Sequence, residues 1–137
     1  MKINEIMTDN VLSIIKDYKF TEVCRLMQQL RIHHLPLVDE KGALVGMFSA
    51  NDALKTFSDV LVGRNIESEA HINDMIGIED CMTKRKLYLL DSESNVRYAL
   101  TVMQEFDVQS VPVVEEGVVI GIVTSKDVLN HTTNLVS

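Results

Sequence analysis

The sequence predicts an α+β protein in which one β-α-β-β-α unit is used twice, and three observations predict it. First, the punctuating residues recur at a nearly constant spacing. The two prolines, Pro36 and Pro112, stand 76 positions apart, while Gly42 and Gly117, and Gly46 and Gly121, stand 75 apart. Second, each half carries one apolar stripe with helical periodicity. Third, each stripe is followed by two short Val/Ile/Leu-rich runs around a glycine turn, the pattern of a β-hairpin. Met7-Thr8 recurs as Met82-Thr83 and Asp52 as Asp127, both at 75, and Met27 recurs as Met103 at 76. The slips are local. One residue is gained between Thr83 and Met103, and one is lost in a turn that has three residues between Val38 and Gly42 but two between Val114 and Gly117. A duplicated unit with loop insertions accounts for this, and a repeat sets the fold before any single element does.

The elements follow in order. An extended apolar stretch covers residues 11–15 in the first copy and 87–90 in the second. The first helical stripe is Phe20, Val23, Cys24, Met27 and Leu30, and the second is Val96, Ala99, Leu100, Met103 and Phe106, at the same spacing. The hairpins are L-P-L-V-D-E-K-G-A-L-V-G-M-F and V-P-V-V-E-E-G-V-V-I-G-I-V. A second helix is expected to begin at Ser49 or Ala50, and at Thr124 or Ser125. Residues 63–76 are polar and weakly periodic, so they read as a linker between repeats 1–62 and 77–137.

Composition bounds the function. The chain has 137 residues, 46% of them hydrophobic and 24% charged, which are values of a globular domain rather than a disordered or fibrous chain. A chain of this length buries enough surface to hold a core without metal or disulfides. The net charge of −7 argues against a nucleic-acid partner, because binding the phosphate backbone needs a basic face. Two cysteines, Cys24 and Cys81, make neither a C-x-x-C pair nor a disulfide framework, and point to a reducing, cytoplasmic setting. The longest apolar run, residues 118–123, is far short of the ~18 residues that span a membrane. Glu5 and Asp9 stand where a signal peptide would be apolar. A soluble intracellular protein without a membrane partner is expected.

Three sets of residues then carry a resemblance: I-M-T and C-M-T at the start of the copies, H-H-L-P-L-V-D and Q-S-V-P-V-V-E, and G-M-F-S-A-N-D and G-I-V-T-S-K-D. Each copy resembles a cystathionine-β-synthase (CBS) domain, and together they resemble a CBS pair, or Bateman module, of the stand-alone bacterial type. The resemblance covers nearly the whole chain and implies two CBS repeats with pseudo-twofold symmetry packed as one module. Each last segment fits the family's G-h-x-[S/T]-x-x-D nucleotide signature.

The chemistry of that signature is readable. Gly46 and Gly121 let the backbone pass close to a ligand or to packed neighbours. Ser49 and Thr124 stand at a helix N-terminus, where free N–H groups favour phosphate. Asp52 and Asp127 lie one turn on, where a carboxylate can accept charge-assisted bonds from ribose hydroxyls. The resemblance implies that the two aspartates bind ribose and that Ser49 and Thr124 approach phosphate. S-x-x-D and T-x-x-D are equally helix capping boxes, and both roles can coexist. The copies differ: Lys126 and the run Lys84-Arg85-Lys86 mark the second, where the first has Asn51 and Asp9-Asn10. The basic run either neutralises a phosphate tail or forms a solvated loop face; the second site is expected to bind phosphate better. Pro36 and Pro112 lack an N–H, and the resemblance implies that His34-Leu35 and Ser110-Val111 just before them approach the base. The same residues also suit the opening of a buried strand.

The other candidates carry less. His33 and His34 are adjacent, so in an extended segment they point oppositely and cannot chelate one metal. Cys24 lies on the helical stripe and Cys81 replaces Ile6 of the first copy, so both read as small hydrophobes. No catalytic constellation, metal site or required cofactor is expected. The leading expectation is a regulatory module that is not an enzyme. It would bind an adenosyl ligand (AMP, ADP, ATP or S-adenosylmethionine) in one or both clefts between the repeats and bias an enzyme partner. The alternatives are a ligand-free dimerising scaffold and, third, an enzyme acting on a nucleotide. Amphipathic helices beyond what a small sheet can cover lead to an expected homodimer.

Overall fold

The computed structural model describes residues 1–9, 11–82 and 88–131. Two compact units form, and neither coincides with a sequence repeat. One is Leu12–Leu87; the other joins Met1–Val11 to Tyr88–Ser137. The Met-Thr segment that opens each copy is the reason. Thr8 makes an antiparallel bridge to Ile122, and Met82 makes one to Phe48, so each opening segment extends the sheet built by the other copy's hairpin. The expected boundaries at 62 and 77 follow the sequence copies, whereas the packing exchanges their first residues.

In Leu12–Leu87, helix α1 (Phe20–Leu30) buries Phe20, Val23 and Met27, while Leu30 at the end of the expected stripe is exposed. Arg31 then takes a left-handed conformation (φ 55°), and Ile32 N–H donates to the Met27 carbonyl at 3.1 Å, closing the helix end. Strand β1 (His34–Val38) pairs antiparallel with β2 (Leu44–Ser49), with Leu35 opposite Phe48 and Pro36 opposite Met47. The Asp39 carboxylate accepts from the N–H groups of Lys41 (2.8 Å) and Ala43 (2.9 Å), and Gly42 supplies the positive φ of the turn. The expected strand at residues 11–15 shrinks to one parallel bridge, in which Ile14 donates to Pro36 and accepts from Val38. Helix α2 (Ala50–Leu61) follows β2 directly. Phe20 packs between Phe48 and Phe57, with ring centroids 6.5 and 6.1 Å away.

The segment read as a linker contains helix α3 (Glu69–Met75), capped by Ser68, whose hydroxyl accepts from His71 N–H at 3.1 Å. It docks on α1. Thr21 N–H donates to Asn73 Oδ1 at 3.0 Å, Asn73 Nδ2 donates to Thr21 Oγ1 at 2.8 Å, and Arg25 pairs with Glu69 at 2.6 Å. Seven residues that dock partly through a polar side chain, Asn73, carry too little apolar periodicity to be seen in sequence.

The other unit repeats the plan. Leu90 donates to Pro112 and accepts from Val114, the same two bonds that Ile14 makes, so the expected strand at residues 87–90 is likewise one bridge in its described part. Helix α4 (Val96–Glu105) buries Val96, Ala99 and Val102. Val102 thus joins the core face that the expected stripe gave to Leu100 and Met103, which are only partly buried, and Phe106 is exposed and stacks on Tyr88 at 4.1 Å. Strands β3 (Ser110–Glu115) and β4 (Val118–Thr124) are joined by Glu116-Gly117, both at positive φ, the two-residue turn whose twist suits a hairpin. Helix α5 (Ser125–Asn130) follows. Ile3 and Ile6, near the chain start, are buried in this unit's core with Val96, Val111 and Val123. Among the described residues no helix is long and apolar enough to cross a membrane.

Candidate functional site

The signature residues fall at one place in each unit, where the second hairpin strand passes into a helix. In Leu12–Leu87, Ser49 ends β2 directly across from His34, and Ala50 N–H donates to the His33 carbonyl at 2.8 Å. Ser49 caps α2, its hydroxyl accepting from Asp52 N–H at 3.1 Å. Burial pushes the His34 imidazole below its usual pKa, the neighbouring His33 adds to this, and the Asp52 carboxylate partly opposes it. His34, Ser49 and Asp52 are therefore one electrostatic neighbourhood. Asn51 is exposed on the first turn of α2.

In the second unit Ser110 lies across from Thr124, and Ser125 N–H donates to the Gln109 carbonyl at 3.0 Å, the same join. Here the cap is reciprocal. Thr124 Oγ1 accepts from Asp127 N–H at 3.3 Å, while Asp127 Oδ2 accepts from Thr124 N–H at 2.8 Å and from its hydroxyl at 3.0 Å. Asp127 Oδ1 accepts a further bond from Thr8 Oγ1 at 2.9 Å. Lys126 points into solvent. The capping chemistry read from S-x-x-D and T-x-x-D is thus present at both sites.

Leu35-Pro36 and Val111-Pro112 are buried, with Leu35 and Val111 in the two cores. Their side chains belong to the two cores and are not presented to solvent. The prolyl carbonyls are engaged by Ile14 and Leu90. Lys84, Arg85 and Lys86 lie outside the described residues.

Of the two readings of the glycines, close approach to packed neighbours is present, and what the sequence did not name is the methionine that each one faces. A Cβ on Gly46 would run into the Met82 side chain, and one on Gly121 would stand 2.6 Å from Met7 Sδ and 3.1 Å from the Thr8 carbonyl oxygen. Each glycine makes room for the methionine of the exchanged segment. The joint recurrence of Met-Thr and glycine at 75 residues was the available signal. Thr8, reached through the same exchange, was not a candidate.

Burial pushes the Cys81 thiol up to about 11 and raises Cys24 as well, so neither is poised as a thiolate. Among the described residues no three His, Cys, Asp or Glu side chains gather to hold a metal ion. A groove of about 710 Å³ opens along α1 and α2, lined by Phe20, Cys24, Met27, Leu54, Phe57 and Ile72 among others.

Comparison with known proteins agrees with this architecture. The family model for the CBS domain matches residues 3–59 and 78–133. The chain belongs to the CBS domain family and carries two copies of the domain. It is 29% identical over 137 residues to an uncharacterised protein of Methanocaldococcus jannaschii, covering 98% of this chain and 32% of that one. The chain spans between 22% and 43% of the length of the curated relatives it matches. Among solved structures, the CBS domain pair of protein MJ0100 in complex with 5′-methylthioadenosine and S-adenosyl-L-methionine superposes with a TM-score of 0.81 at 24% identity, covering 98% of each chain. CBSX2 in complex with AMP superposes at 0.80 and 21% identity, covering 99% of each. At these identities the likeness shows the fold.

Proposed function

We propose that this chain is a regulatory module that binds an adenosyl ligand without consuming it. The observation that carries the reading is the arrangement found twice. A hydroxyl residue stands at a strand-to-helix join, a carboxylate lies one turn on, and the residue before an apolar-proline pair lies across the hairpin. Two solved proteins of the same fold hold such ligands: MJ0100 with 5′-methylthioadenosine and S-adenosyl-L-methionine, and CBSX2 with AMP. Asp52 and Asp127 accept the ribose hydroxyls. Ser49 and Thr124 face the phosphate or its equivalent, with Asn51 and Lys126 beside them. The backbone of His34-Leu35 and of Ser110-Val111 meets the base, with Pro36 and Pro112 lining the slot behind them. Lys84, Arg85 and Lys86 give the second site its preference for phosphate-rich ligands. The module works in the reducing cytoplasm, and its ligand state biases an enzyme partner.

Thermal unfolding with AMP, ADP, ATP and S-adenosylmethionine tests this. A ligand at a hundred times its Kd adds about 2.7 kcal/mol to the folded state, a clear rise in Tm. No rise with any of the four at millimolar concentration overturns the reading in favour of a ligand-free scaffold. Turnover of a bound nucleotide above ~0.1 s⁻¹, an order below the usual enzyme range, overturns the non-catalytic part.

The module also forms a homodimer through its helices. Leu54 on α2 and Leu129 on α5, 75 positions apart, are 68% and 72% exposed, and the apolar groove lies beside Leu54. Two copies of one domain that expose the same leucine point to a surface covered in solution.

A further inference from the structure

The Asp127 carboxylate is held from two directions. Oδ2 takes the two local bonds from Thr124, which complete the helix cap. Oδ1 takes the bond from Thr8 Oγ1, 119 residues away in sequence. Capping does not need this third bond, because it satisfies no helix N–H group. The position of the Thr8 hydroxyl is set independently of α5. Thr8 N–H donates to the Ile122 carbonyl at 2.9 Å, Ile122 N–H donates back at 3.0 Å, and Met7 sits over Gly121. A carboxylate offers about four lone-pair directions. Donors on both oxygens fix its plane, and the three donors found among the described residues leave one direction open, on Oδ1.

We propose that Thr8, from the first sequence copy, is a positioning residue for the ligand site of the second. Its hydroxyl holds the Asp127 carboxylate so that the open lone pair on Oδ1 meets a ribose hydroxyl. This rests on the adenosyl-ligand reading above. It also assigns the I-M-T segment of the first copy to the G-I-V-T-S-K-D site of the second.

Calorimetry on the full chain with AMP and 2′,3′-dideoxy-AMP tests it, in an Asp52→Ala background so that the Asp127 site alone reads the ribose. The parent is expected to prefer AMP. Thr8→Val should weaken AMP binding about tenfold, within the range of couplings inside one hydrogen-bond network, and lose most of the preference. Thr8→Ser should restore both. A purely structural role would not move the ratio of the two affinities. Should Thr8→Val fail to fold, as judged by circular dichroism, Thr8→Ala supplies the hydroxyl deletion. A hydroxyl-deleted variant that keeps the parent's preference overturns the role of Thr8 alone. So does a Thr8→Ser variant that behaves like it. A parent that binds both ligands equally overturns the ribose role of Asp127 and this inference with it, while leaving the adenosyl reading in place; a parent that binds neither overturns the adenosyl reading as well.

Discussion

At Gly121 two neighbours crowd the space where a side chain would begin, and they differ in how far they can yield. Met7 Sδ belongs to a flexible side chain, but the Thr8 carbonyl oxygen at 3.1 Å is backbone held by a bridge to β4. At Gly46 every close neighbour is an atom of the Met82 side chain. Gly121→Ala should therefore destabilise the protein by about 1–3 kcal/mol, the scale of overpacking, with Met7→Ala relieving only part of the loss. Gly46→Ala should be relieved by Met82→Ala more completely. Urea unfolding of the two double-mutant cycles measures this. Equal relief at both positions would show that the Thr8 backbone moves aside. The same crowding explains why these glycines matter without any ligand: Gly121 admits the segment that carries Thr8 to Asp127, and Gly46 admits the one that carries Met82.

Helix α3 shows how an element with little apolar surface of its own is held. Its ends are set by the Ser68 cap and by Ile76, which is buried, and its docking on α1 relies on the reciprocal pair between Thr21 and Asn73. The Arg25–Glu69 ion pair beside it is exposed on both sides and adds little at physiological salt. Asn73→Ala leaves the Thr21 N–H without its acceptor and the Thr21 hydroxyl without the amide that donates to it, and should cost about 1–2 kcal/mol. Asn73→Asp keeps the acceptor and should recover part of this. Denaturant midpoints for the two variants decide it; no change for Asn73→Ala would mean that α3 is held by Ile72 and Met75 alone. The ends of α1 and α4 carry a related lesson. Arg31 (φ 55°) and Asp107 (φ 51°) adopt the left-handed conformation that glycine usually takes after a helix. The apolar residue that follows each, Ile32 or Val108, packs against its core and secures the turn.

At the scale of the whole chain, the proposed dimer makes a prediction about one side chain. Leu54→Glu places a charge on the exposed face of α2, where burying a leucine against a partner would contribute roughly 1.5–3 kcal/mol. Light scattering should find the unmodified protein as a dimer at micromolar concentration and the variant shifted toward monomer, with unfolding of the separated chain little changed. A monomeric unmodified protein would defeat the prediction. The exchange of opening segments has a consequence at this scale too. Ile3 and Ile6 are core residues of a unit otherwise formed by the second half of the chain. Neither sequence copy, cut at its own boundary, carries the complete core of either unit.

The repeat, the α+β class, both hairpins, the start of the helix after each and the glycine–hydroxyl–carboxylate signatures were legible in the sequence. These features depend on neighbours a few residues apart: alternation for strands, a 3.6-residue period for helices, turn residues at fixed offsets, and a cap three residues from its acceptor. The family resemblance rested on the same local patterns, and the match at residues 3–59 and 78–133 agrees with it. Tertiary structure alone decided which copy's sheet each Met-Thr segment joins, that residues 63–76 contain a docked helix, and that Thr8 reaches Asp127. Among the described residues it also reduced the first strand of each copy to a single bridge, at Ile14 and at Leu90. The reason is physical. Patterns of hydrophobicity say that Ile14 and Cys81 will be buried, but not against which surface, because burial has no direction. That choice is made by close fit, a methionine over a glycine and a hydroxyl against a carboxylate, between residues that one-dimensional spacing does not connect.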